Sequence, residues 1–100
     1  MDAHSETTEA PIDLRQVAVA DDLAVNRFAC AMMQKMALSR AKGRGGWQTC
    51  PVDVLWDMLR EHVAKGDPVD VANLAMMIHE NSQRAERARL LAAAEEGLHL

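Results

Sequence analysis

The chain has 100 residues, 49 % of them apolar and 26 % charged, and a formal net charge of −4 at pH 7. That length suits one domain with a small core, and the acidic balance argues against a free-standing nucleic-acid binder, which needs a basic face. Only Phe28, Trp47 and Trp56 are aromatic, and methionines and alanines fill the gap, a composition that favours helix packing over a β-sandwich.

Residues 1–11 are polar, acidic and without periodicity, which predicts a disordered tail ahead of a single helical domain over residues 12–100. Asp2, Glu6 and Glu9 leave no apolar run for a signal peptide. No later stretch reaches the ~20 apolar residues of a membrane helix. Cys30 and Cys50 form no C-x-x-C pair and have no paired histidines nearby. The expectation is free thiols and a cytoplasmic protein with no membrane partner.

Ile12, Leu14, Val17 and Val19 alternate loosely and predict a short extended segment lying on the helices, with no partner strand. Asp21 or Asp22 should open the first long helix, which runs to about Lys42 and buries Val25, Phe28, Ala29, Met32 and Met36. Arg40 and Lys42 suit its negative end, and Gly43 should stop it. Gly43-Arg44-Gly45-Gly46-Trp47 lacks the P-loop spacing and reads as a helix-to-helix loop with Trp47 as a plug. Thr49 or Cys50 should cap the second helix, with Pro51 in its first turn.

The second helix carries Val52, Leu55, Trp56, Leu59 and Val63 at helical spacing, and the third carries Val71, Leu74, Ala75 and Ile78. Between them Gly66 suits a left-handed helix end, Asp67 a cap and Pro68 a first helical position. So short a corner makes the helices antiparallel, with Trp56, Leu59, Val71 and Leu74 meeting across it. It also brings Glu61 and His62 towards Asp67 and Asp70. Ser82 to Glu96 is Ala- and Arg-rich and should end at Gly97, with Arg84, Arg87 and Arg89 as a solvated face. It either continues the third helix or breaks at Asn81-Ser82 into a fourth. The fold expected is a small all-α bundle of three main helices, or four if that break occurs.

Each polar residue near the corner has an ordinary structural use. Asp67 and Asp70 suit a helix start, Glu61 and Lys65 form an i, i+4 pair, and His62 and His79 have no spaced ligand partner. Met76-Met77 reads as core.

Lys42-Gly43-Arg44-Gly45-Gly46-Trp47, Leu59-Arg60-Glu61 and the block from Asp70 to Met77, Asp-Val-Ala-Asn-Leu-Ala-Met-Met, together resemble the phage-type dATP/dGTP pyrophosphohydrolases. Those are all-α, MazG-like enzymes. The likeness covers about half the chain, from Phe28 to Asn81. It implies Mg²⁺ held by carboxylates against a triphosphate, and a dimer or tetramer. Carried over, the E-E-x-x-E motif falls on Glu61, His62 and Lys65, and E-x-x-D falls on Asp67 and Asp70. Glu61, Asp67 and Asp70 would then be metal ligands, with Asn73 and Arg44 as nucleotide-binding residues. The chain departs from the pattern at His62 and Lys65 and is shorter between the two motifs. Replacing a ligating carboxylate by an ammonium removes an attraction to the divalent ion.

The lost ligands favour a non-catalytic accessory protein of phage or prophage type with no cofactor and no catalytic residue. It would bind a host protein or protein complex, an anti-CRISPR-like inhibitor of a host defence complex being one version. The alternative is a Mg²⁺-dependent dNTP pyrophosphohydrolase that completes its site in a homo-oligomer. A helix-turn-helix DNA binder ranks last, because Asp67 and Asp70 would face the phosphates.

Overall fold

The computed structural model describes residues 11–98, so all but Pro11 of the expected disordered tail lies outside the described residues. Within them the structure is all-α, as expected: α1 (Leu14–Ala41), a 3₁₀ turn (Trp47–Thr49), α2 (Val52–Lys65) and α3 (Pro68–Leu98), with no strand. Contacts divide the chain into two units, Met1–Cys30 and Ala31–Leu100.

In the first unit, the segment expected to be extended is helical from Leu14. Asp13 explains the early start. Its Oδ1 accepts the Arg15 N–H at 3.0 Å and its carbonyl accepts the Val17 N–H at 3.1 Å, which caps the helix about two turns before Asp21. Leu14 and Val17, read as a strand alternation, are one helical turn apart. Two members of the expected buried face, Val25 and Phe28, are exposed, whereas Ala29 is half-buried.

In the second unit, α2 and α3 form a helical hairpin around Leu55, Leu74 and Ile78, with Cys50, Val52, Leu59 and Met77 packed against them. Leu55 is 1 % exposed, with Val52 and Leu59 packed beside it as the expected stripe has them, but Trp56 is 45 % exposed and falls outside the core it was expected to join. Val63 is exposed and Val71 only half-buried. A seam between two helices covers a narrow stripe, and Leu55 at its centre lets the axes approach more closely than an indole would.

The corner forms as expected. Gly66 has φ +82° and gives its N–H to the carbonyls of His62 and Val63, both at 3.1 Å. Asp67 Oδ1 accepts the Val69 N–H at 2.9 Å, and Pro68 opens α3. The start of α2 differs from expectation: Pro51 precedes Val52 without a side-chain cap, and the Thr49 hydroxyl donates to Gly46 O instead. α3 passes unbroken through Asn81-Ser82 and Gly97, so no fourth helix forms among the described residues. Strong helix formers on both sides of Asn81 carry it through.

Candidate functional site

The acids after the corner are joined by a residue from α1. Lys35 Nζ lies 2.7 Å from Asp67 Oδ2 and 3.5 Å from Asp70 Oδ1. Asp67 therefore uses one carboxylate oxygen to cap α3 and the other to receive the ammonium. The Lys35 hydrogen bond, then that of the Val69 N–H, holds the Asp67 carboxyl below its ordinary value of 3.8. The same bond to Asp67 raises Lys35 above its ordinary 10.5.

Asn73, one turn further along α3, is 5 % exposed and donates its Nδ2 to the Met32 carbonyl of α1 at 3.2 Å. Its Oδ1 is buried without a partner. The amide that the resemblance would give to a nucleotide is thus used between two helices. Arg44, the other residue in that reading, is exposed. Its backbone N–H closes the end of α1 by donating to Ser39 O at 3.0 Å, as the Gly43 N–H does to Arg40 O at 2.9 Å.

Glu61 is exposed on α2, and the half-buried His62 gives its Nδ1–H to the Met58 carbonyl at 2.9 Å. Among the described residues no group of three or more His, Cys, Asp or Glu side chains could hold a metal ion. Glu61, Asp67 and Asp70 do not fit Mg²⁺ as they stand. That ion wants an octahedral cage of hard oxygens, and here an ammonium bridges the two aspartates.

A second polar constellation was not anticipated. Asn81, buried on α3, donates its Nδ2 to Trp47 O at 3.0 Å and to Cys50 O at 3.1 Å. Arg84 donates to Gln48 O at 2.8 Å and to Asn81 Oδ1 at 3.2 Å. The arginine expected to be merely solvated therefore holds the 3₁₀ turn against α3. Asn81 in the heptad of Leu74 and Ile78 was the available signal, since a polar residue in a buried stripe usually has a partner.

What α2 leaves open is apolar. Trp56 and Val63 lie two turns apart on one flank of the buried stripe and are 45 % and 57 % exposed, with Arg60 beside them. Val54 and Met58 are exposed on the other flank. No helix among the described residues is long and apolar enough to cross a membrane. Comparison with protein-family models, curated proteins and solved structures gives no match.

Proposed function

We propose that this chain works by binding another protein, and that the Trp56–Val63 flank of α2 is its docking surface. The observation that carries this reading is an exposed tryptophan beside a buried core leucine, on a short helix already anchored by Leu55. Tryptophan and arginine dominate binding energy where they occur at interfaces, because each combines a large contact area with a polar handle. Trp56 suits a partner offering an apolar pocket, and Arg60 beside it, paired with Asp57 at 2.8 Å, has further N–H donors for a polar rim. A host protein met by a phage accessory factor, such as a defence complex inhibited in anti-CRISPR fashion, is one partner of this kind.

The rival reading as a pyrophosphohydrolase needs Asp67 and Asp70 free for a metal ion and Asn73 open to substrate. The Lys35 bridge and the burial of Asn73 count against it. Two measurements separate the readings. The full-length chain, used as bait in a host lysate, should retain a protein that Trp56→Ala and Val63→Glu both release. Purified chain with Mg²⁺ or Mn²⁺ should release no pyrophosphate from any dNTP. Turnover near ~1 s⁻¹, a modest enzyme rate, that disappears in Asp70→Ala would overturn the proposal.

A further inference from the structure

Asn73 and Ala75 stand on either side of Leu74, each about 100° round α3 from the buried seam. On the Asn73 side α3 meets Met32 and Lys35, through Asn73 and Asp70. The other side is open, with Ala75 exposed and Val71 only half-buried. Trp56 is turned from Leu55 in the same sense as Ala75 from Leu74, and antiparallel helices bring such flanks to one side of their seam. Trp56 and Val63 on α2 therefore wall a groove whose other wall is Val71 and Ala75 on α3, with Leu59 and Ile78 as its floor. Val63 with Val71, Leu59 with Ala75 and Trp56 with Ile78 are equal steps from Asp67, so each pair stands level across the groove. The groove runs for two turns, about 10 Å at 1.5 Å per residue. At Ala75 its wall stops at Cβ, which leaves a notch between Val71 and Ile78.

We propose that the partner protein lays an amphipathic helix into this groove. The proposal rests on the Trp56 flank being the docking surface and specifies what docks there. Backbone chemistry selects a helix. An extended segment needs partners for its own N–H and C=O groups, and it finds them along a sheet edge. This groove offers none, since no strand occurs among the described residues and its walls are apolar side chains. A helix bonds its own backbone and presents only side chains. Apolar anchors at i, i+4 and i+7 span the same two turns as the groove. The middle anchor enters the notch at Ala75, where an aliphatic side chain such as leucine or methionine fits. The outer two reach Trp56 and Val63. Arg60 on α2 and the exposed His79 on α3 border the groove towards solvent, so polar residues flank the anchors.

Two display libraries of peptides about 16 residues long serve as the probe. One carries varied apolar residues at i, i+4 and i+7 in a helix-forming frame, and the other alternates apolar and polar residues as a strand does. Selection on the full chain should enrich the helical library alone. The enriched peptides, made as free peptides, should gain helical circular dichroism on binding. They should bind Trp56→Ala and Ala75→Arg at least about tenfold more weakly than wild type. Arginine is a good helix former and Ala75 is exposed, so Ala75→Arg should melt as wild type does. Binding lost in Trp56→Ala but kept in Ala75→Arg would leave the flank as the docking surface and refute a helix in the groove. Enrichment of the alternating library, or of neither, would refute it as well. Enriched peptides indifferent to Trp56→Ala would count against the flank itself.

Discussion

Leu55 and Trp56 are neighbours on one helix and serve opposite ends. Leu55 sits at the centre of the α2–α3 seam, almost wholly removed from water, while Trp56, 100° further round, keeps nearly half of its surface in solvent. Both are large and apolar, and the amphipathic pattern of α2 includes both. What separates them is the width of the seam. A hairpin of two helices can bury one stripe, and whatever lies beside that stripe is left for something else to cover. Stability and binding thus divide along α2 by rotation about its axis rather than by position along the chain.

The division can be broken from the inside first. Leu55→Ala or Leu74→Ala should cost about 2–5 kcal/mol, the range for truncating a buried leucine. Chemical denaturation would show it as a lowered midpoint with the slope unchanged. Asn81→Ala comes next. It leaves the carbonyls of Trp47 and Cys50 without their shared donor and should cost about 1–3 kcal/mol, the penalty for unsatisfied buried polar groups. Asn81→Asp should be worse at neutral pH, since it aims a carboxylate at two carbonyl oxygens.

Gly66→Ala tests the corner that brings the two helices of the seam together. An added Cβ would meet nothing within 4 Å, so the cost comes from φ +82° alone, about 1–2 kcal/mol for a non-glycine residue in the left-handed region. Trp56→Ala belongs at the small end for stability, near about 1 kcal/mol, because the side chain gives up only a partial cover. A loss as large as that for Leu55→Ala would erase the distinction between the two faces.

The Lys35–Asp67 pair sharpens the comparison through pH. Asp67 titrates below its ordinary value, so its contribution is present above 3.8 and is lost as pH falls through the lower folded-state value. Lys35 titrates above its ordinary value, so its contribution is present below 10.5 and is lost as pH rises through the raised one. The melting temperature should be flat in this respect between those limits. Asp67→Asn should remove the part of the acid-side slope that Asp67 supplies. Both side chains are well exposed, so this is the smallest effect expected.

The corner was legible in the sequence because all of its physics is local. Gly66, Asp67 and Pro68 complete their bonds within four residues, and no distant partner is needed. The polar constellations were not legible for the opposite reason. Lys35 meets Asp67 across 32 residues, and Asn81 and Arg84 reach the 3₁₀ turn across 31 to 36. Which arginine among Arg84, Arg87 and Arg89 finds a carbonyl is decided by tertiary placement. The start of α1 was misread because Asp13, Asp21 and Asp22 are all competent caps, and only the backbone chooses among them. The exposure of Trp56 and Val63 in α2 has a similar origin. Val52, Leu55, Trp56, Leu59 and Val63 span an arc of about 100°, wider than one neighbouring helix covers, and α3 takes the Leu55–Leu59 side of it. Of the candidate site, Asp67 and Asp70 were correctly brought to one helix start, but the ammonium between them comes from α1.

The role of Trp56 as a binding residue is tested most directly by a binding isotherm. The protein retained by the full-length bait would be purified and titrated with wild type and with Trp56→Ala, alongside thermal melts of both. Trp56→Ala should lose at least about 30-fold in affinity, the ~2 kcal/mol of an interface hot spot, with α2 and α3 still folded at the assay temperature. Equal affinity for wild type and Trp56→Ala would contradict it.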